Sequence, residues 1–192
     1  MTRLPFITTR RRGFLALGSL LLVPAWAQER RAPALDVPYV PTPNEVVDRM
    51  LEIAGVGPQD LLYDLGCGDG RIVIAAAKKH GARGVGIDLD PARIREARAN
   101  ARREGVQDKV QFMVGDLFES DVSQATVVTL YLLPKINRRL RPQLWRQLAV
   151  GTRVVSHEFD MGPEWPPERT EKVGLRTIHA WTIRPEHKRQ GS

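Results

Sequence analysis

Three aspartates pose the chemical question in this chain. Asp64 opens the run Asp64-Leu65-Gly66-Cys67-Gly68-Asp69-Gly70, Asp88 closes Gly84-Val85-Gly86-Ile87-Asp88, and Asp116 follows Val114-Gly115. Each stands where a short apolar run ends. Glycines at 66, 68 and 70 let the backbone turn sharply and let a ligand approach it with no Cβ in the way. A helix starting near Arg71 would aim free N–H groups into that turn. The spacing is not that of a dinucleotide fingerprint, because the third glycine falls one position early, and there is no Gly-Lys-Ser/Thr ending of a phosphate loop. An acid at the mouth of the loop repels a pyrophosphate and suits an ammonium. The residues therefore ask for a ligand with a cationic end and a hydroxylated sugar.

Other reactive types carry less. Cys67 is the only cysteine, which excludes an internal disulfide and a cysteine-based metal cluster. In so crowded a turn it reads as a small filler. His80, His157, His179 and His187 lack metal-ligand spacing and read as surface or loop residues, so no metal site is expected. Taken singly, Asp88 and Asp116 serve equally well as helix caps or turn residues, and Asp90 reads as a cap.

The elements that must position these groups follow from periodicity. Leu61–Leu65 is a short buried strand. Gly70–His80 is a helix with Ile72, Val73, Ala76 and Ala77 on one face, closed by Gly81. Arg83–Leu89 is a second strand. Asp90–Gly105 is an amphipathic helix with Asp90 at the N-cap and Pro91 at the first helical position. Two more strands are expected over 110–117 and 125–133. The helix over 134–150 carries Pro142, which should kink or break it. A fifth strand is expected over 152–159, and a strand pair over 168–185 meets at Gly174. A further helix precedes all of these, with Val46, Val47, Met50 and Leu51 at helical spacing. Strands alternating with helices predict an α/β fold, a doubly wound and mostly parallel sheet closed by an antiparallel C-terminal pair. In such sheets ligands bind beyond the carboxyl ends of the strands, where strand order reverses.

With 192 residues the chain suits one domain. Its formal charge is +7, but the first 27 residues hold four arginines and no acid; subtracting those four leaves +3. That is an ordinary surface, without the basic, aromatic-interleaved stripe that nucleic acid would call for. The first 27 residues run from basic to apolar to a small-residue Ala25-Trp26-Ala27 step, the anatomy of a secretory signal, and Arg11-Arg12-Gly13-Phe14-Leu15 resembles a twin-arginine export signal. The expected organisation is a signal peptide over 1–27, a linker over 28–38, one domain over 39–185 and a tail over 186–192. A periplasmic destination through the export machinery follows; an uncleaved anchor or a cytoplasmic chain is the alternative.

Asp64-x-Gly66-x-Gly68-x-Gly70 with Asp88 and Asp116 resembles the class I S-adenosylmethionine-dependent methyltransferases, which have a Rossmann-like seven-stranded sheet. Flanking elements, among them Pro38–Leu51, Val128–Pro134 and Gly151–Trp165, resemble the small protein-lysine methyltransferases that modify the membrane-ring protein of ATP synthase or the adenine nucleotide translocator, and their bacterial relatives. The resemblance implies S-adenosylmethionine as cofactor. It places the methionine moiety on Asp64, Gly66, Cys67 and Gly68, the ribose on Asp88 with Leu89 against the adenine, and the adenine amino group on Asp116 with Leu117 beside it. It also implies a lysine acceptor, whose amine must lose its proton from an ordinary pKa of about 10.4. Tyr39 and Tyr131 are the candidates to assist, or else to pack against the cofactor, and Glu45 and Glu158 are weaker acid–base candidates. The strand end at Tyr131 reads Leu130-Tyr131-Leu132-Leu133-Pro134 in place of the Asn/Asp-Pro-Pro-Tyr of many amine and amide methyltransferases, so a small-molecule acceptor stays open. So does an exported binding module without transfer.

Overall fold

The computed structural model describes residues 40–190. In chain order the elements are α1 (Asn44–Ile53), β1 (Leu61–Leu65), α2 (Arg71–His80), β2 (Arg83–Asp88), α3 (Pro91–Arg103), β3 (Val110–Val114), β4 (Val127–Leu130), α4 (Pro134–Gln147), β5 (Arg153–His157), β6 (Arg169–Val173), β7 (Arg176–Thr182) and α5 (Pro185–Gln190). The seven strands form one sheet in the order β3-β2-β1-β4-β5-β7-β6. The pairings from β3 through β5 are parallel, while β7 runs antiparallel to both β5 and β6. Strand order therefore reverses between β1 and β4, and a cleft opens at their carboxyl ends. The antiparallel pair matches the sequence reading; its order is a finding, since the last strand enters between β5 and β6.

Alternation along the strands sorts the core into two layers. Leu62, Val127 and Val155 join the apolar stripes of α1, α2 and α3 on one face. Leu65, Val128, Leu130 and Val154 face the other way, against Leu140 and Leu144 of α4 and Trp181 of β7. Burying each such side chain contributes about 1.5–3 kcal/mol. Strands covered on both faces read as unbroken apolar runs, which is why β1 and β4 are visible in the sequence.

Two segments depart from expectation. Pro142 does not end α4, which continues through it to Gln147. Pro142 and Arg138, whose carbonyl loses its N–H partner, are both exposed residues on the outer side of the helix. The expected tail begins instead inside a helix, α5. There Lys188 donates to the carbonyls of Trp145, Arg146 and Leu148, the open C-terminal end of α4. His187 is buried rather than at the surface, stacked on Trp145 at 5.4 Å between ring centroids. The expected signal peptide, linker and Tyr39 lie outside the described residues. No described helix is long and apolar enough to cross a membrane.

Candidate functional site

The cleft at the strand tips is lined by Asp64, Gly66, Cys67, Asp88 and Leu89 from the β1 and β2 ends. Asp116 and Leu117 follow β3 and Tyr131 follows β4, and all three line the same cleft. Of the expected cofactor residues and Tyr131, only Gly68 does not line it, and the weaker candidates Glu45 and Glu158 do not line it either. The role of Gly68 is structural: its N–H donates to Asp88 Oδ2 at 2.8 Å.

The glycine-rich loop is tied down on every side. The N–H groups of Gly66 and Cys67 both donate to the Ile87 carbonyl, at 2.8 and 3.0 Å. Gly66, Gly68 and Gly70 all have positive φ, the left-handed region that glycine enters freely. One of the helix N–H groups expected to stay free is occupied, because Asp69 Oδ1 accepts from the Arg71 N–H at 3.2 Å. Asp69 further makes a two-pronged ion pair with the Arg71 guanidinium, and the Asn100 side chain donates to the Asp69 carbonyl. A loop in which the amides of Gly66, Cys67, Gly68 and Gly70 are already satisfied offers a shaped floor and few donors for an anion.

Asp64 is the unusual group. It is 3% exposed and accepts from Thr129 Oγ1 at 2.8 Å. Its other oxygen has no hydrogen-bond partner and no cation faces it among the described residues. Burial pushes its carboxyl up to about 7; the Thr129 bond opposes this, while the negative charges of Asp88 and Asp69 add to it. A buried carboxyl on a cleft wall without a counter-charge fits a ligand ammonium. Asp88 is fixed at both oxygens, since Oδ1 accepts from the Asp90 N–H at 2.9 Å. Asp90 in turn caps α3 by accepting from the Ala92 N–H, as its sequence position implies. Asp116 is a turn residue, accepting from the Phe118 N–H, and still borders the cleft. Cys67 is 5% exposed and burial pushes its thiol up, so it packs and does not react.

The β4 and β5 tips form a different wall. Tyr131 lies on His157, with ring centroids 3.9 Å apart, and alongside Phe159 at 6.4 Å. The expectation of a surface or loop position fails for His157, which is 0% exposed in β5. Its Nδ1 is 3.1 Å from Thr42 Oγ1, and its Nε2 has no hydrogen-bond partner among the described residues. Desolvation lowers its pKa to about 4, with Arg176 adding to the fall and Glu158 opposing it. Glu158 holds φ at 68°, the only described non-glycine residue with positive φ. For such a residue this conformation costs on the order of 1–2 kcal/mol. Glu45 is exposed on the first turn of α1 and does not line the cleft.

Several lining residues are not among the expected site residues, although Val40, Pro41 and Thr42 fall in the Pro38–Leu51 segment that carries the resemblance. These three run along the cleft as a strap, and the Thr42 carbonyl accepts from Arg71 at 2.9 Å. Phe118 and Arg139 border it as a stacked pair, the guanidinium 3.6 Å from the ring centroid. These depend on contacts between distant segments, which no motif spells out. Among the described residues no group of three or more His, Cys, Asp or Glu is placed to hold a metal ion.

Known proteins resemble this chain in sequence and in fold. Residues 64–169 match the ANTKMT methyltransferase domain. A protein-lysine N-methyltransferase of Saccharolobus islandicus (strain REY15A) is 52% identical over 157 residues, spanning 79% of this chain and 96% of the relative. An adenine nucleotide translocase lysine N-methyltransferase of Mus musculus is 34% identical over 167 residues, spanning 84% of this chain and 71% of that protein. Among solved structures, a protein of Salinibacter ruber described as an RNA methyltransferase, in complex with S-adenosyl-L-homocysteine, aligns with a TM-score of 0.75 and 61% identity. That alignment covers 76% of this chain and 95% of the other.

Proposed function

The chain belongs to the ANTKMT methyltransferase domain family, and from that membership and the cleft we propose that it transfers a methyl group from S-adenosylmethionine to the side-chain amine of a protein lysine. The observation that carries the cofactor is Asp64, a buried carboxyl on the cleft wall with no cation facing it among the described residues. Its carboxylate takes the ammonium of the methionine moiety, over a floor formed by Gly66, Cys67 and Gly68. Asp88, held rigid by the N–H groups of Gly68 and Asp90, takes the ribose hydroxyls. Leu89 and Leu117 flank the adenine, and Asp116 accepts from its amino group. Bound there, S-adenosylmethionine supplies an electrophilic methyl carbon on a sulfonium.

The rest of the work is alignment. Holding donor and acceptor in line can supply on the order of 7–11 kcal/mol of the barrier. Tyr131 borders the cleft beyond the β4 tip, where its ring attracts the lysine while it is still an ammonium, more strongly as water is excluded. The amine sheds that proton to solvent before it attacks the methyl carbon. Such a wall suits the long alkyl stem of lysine. Tyr39 is a second candidate on the sequence alone and lies outside the described residues.

The test is incubation of the purified chain with methyl-labelled cofactor and fractionated cell extract. Label in methyl-lysine of a polypeptide is expected, and chemical blocking of lysines should abolish it. The resemblance to a protein described as an RNA methyltransferase gives a second reading, in which the label resists protease and is lost to ribonuclease. Low-mass labelled product would indicate a small-molecule acceptor, and tight binding without any labelling a module that has lost transfer. The modest +3 charge outside the first 27 residues favours protein over RNA.

Residues 1–27 we read as a cleaved twin-arginine signal, with residues 28–38 as linker and a periplasmic destination. That pathway moves folded proteins, so the enzyme either acts before export or carries its cofactor along. N-terminal sequencing of the protein recovered from its producing cell should begin near Gln28; a chain starting at Met1 contradicts cleavage.

A further inference from the structure

The most unusual group outside the cofactor wall is His157. It is fully buried, carries an orphan ring nitrogen, and is the point where three separate segments meet. Its Nδ1 reaches Thr42 of the strap at 3.1 Å across 115 residues of sequence. Its ring supports Tyr131 of the β4 tip at 3.9 Å. The Glu158 carboxylate, in its left-handed conformation, lies 3.6 Å from Nε2. A negative charge at that distance favours the tautomer with its proton on Nε2. Nδ1 then accepts from the Thr42 hydroxyl. The other charged group bearing on the ring is Arg176 of β7.

The strap is thus held from two sides. Arg71, itself bound to Asp69 of the glycine-rich loop, grips the Thr42 carbonyl, and His157 grips the Thr42 hydroxyl. The first link ties the strap to the cofactor floor. The second ties it to the aromatic wall, where nothing on the cofactor side needs a histidine. A buried polar group kept at the cost of an unsatisfied nitrogen calls for a reason. An apolar residue of similar size would fill the space without that cost, but it could not receive the Thr42 hydroxyl.

We propose that His157 is a positioning residue for the methyl acceptor: through Thr42 and the Tyr131 ring it fixes the strap and the β4 tip as two facing walls of the acceptor entrance. This rests on the reading of the cleft as a methyltransferase site, and it adds a specificity element that the cofactor motif does not contain. The amine is then guided by a wall whose position depends on an imidazole it never touches. Loss of the link lets the strap swing while the carboxylates stay in place.

His157→Ala would empty a fully buried site and endanger the fold, so the test uses Thr42→Val and Thr42→Ser in the full chain. Three quantities are read: the dissociation constant for S-adenosylhomocysteine, the initial rate of methyl labelling of extract polypeptides against extract concentration, and amide hydrogen exchange of the peptide containing Val40 and Thr42. Thr42→Val should speed that exchange and lower the slope of labelling against extract, each on the order of tenfold, with cofactor affinity within about twofold. Thr42→Ser, which keeps the hydroxyl, should restore both. Unchanged exchange in Thr42→Val, or equal loss of cofactor affinity and labelling, overturns the role given to His157. Should the unaltered protein label no polypeptide, the lysine reading fails by itself, and the exchange comparison still decides the link to the strap.

Discussion

The Asp88 tip and the Tyr131 tip flank β1 on opposite sides, and the groups around them are satisfied in different ways. Around Asp88 the loop amides of Gly66, Cys67 and Gly68 have partners, and each link spans about twenty residues. Around Tyr131 the decisive bond joins Thr42 to His157 across 115 residues, a ring nitrogen is left over, and Glu158 sits in a strained conformation. The first wall is assembled locally from one strand–loop–helix–strand unit and is rigid before any ligand arrives. The second is assembled from the chain's beginning, middle and end. Local assembly suits an invariant nucleoside, and long-range assembly suits an acceptor that varies.

The contrast between the two walls should break first at the glycine-rich loop. A Cβ at Gly70 would lie 2.7 Å from the Phe112 ring and 2.9 Å from Ala97 Cβ, at a φ of 79°. Overpacking and left-handed strain together should make Gly70→Ala less stable by about 2–4 kcal/mol, read from denaturant midpoints. Next, Asp88→Ala removes both the ribose acceptor and the carboxylate bonded to the N–H groups of Gly68 and Asp90. Calorimetry should register a loss of about 1.5–3 kcal/mol in S-adenosylhomocysteine affinity; unchanged affinity refutes the assignment.

Asp64 makes the same wall pH-sensitive. Its folded carboxyl is raised to about 7, so folding loses stability as pH climbs from the unfolded value through about 7. A ligand ammonium needs the ionised form, so affinity should rise with pH and level off above about 7. At one unit below that, binding should be weaker by roughly tenfold. A flat profile contradicts an ammonium on Asp64. The smallest effect belongs to the far hairpin. Gly174 also has positive φ, at 60°, but a Cβ there would meet nothing within 4 Å. Gly174→Ala should therefore cost only the backbone strain, about 1 kcal/mol. Equal costs at Gly70 and Gly174 would mean that packing around Gly70 contributes nothing.

What can be read in the sequence follows the same division. β1, α2, β2 and α3 announce themselves through apolar runs, glycines and the Asp90-Pro91 cap, because their geometry is set within a few residues. The three aspartates are legible because each lies at or just beyond the carboxyl end of an apolar strand. The buried His157 is not: a histidine in Arg153–His157 looks like any strand-end polar residue until Thr42 and Tyr131 are brought to it. The strap and the Phe118–Arg139 pair are hidden for the same reason. Pro142 misleads because its exposure, which makes the missing hydrogen bond tolerable, is a tertiary property. The docking of α5 on the open end of α4 through Lys188 is likewise invisible in a six-residue polar segment.

The central claim is positional, and a crystal structure of the full chain with S-adenosylhomocysteine tests it most directly. The amino group should lie on Asp64, the ribose hydroxyls on Asp88, the adenine between Leu89 and Leu117, and the sulfur should face Tyr131. A nucleoside bound away from these carboxylates, or a sulfur turned from the β4 tip, contradicts it.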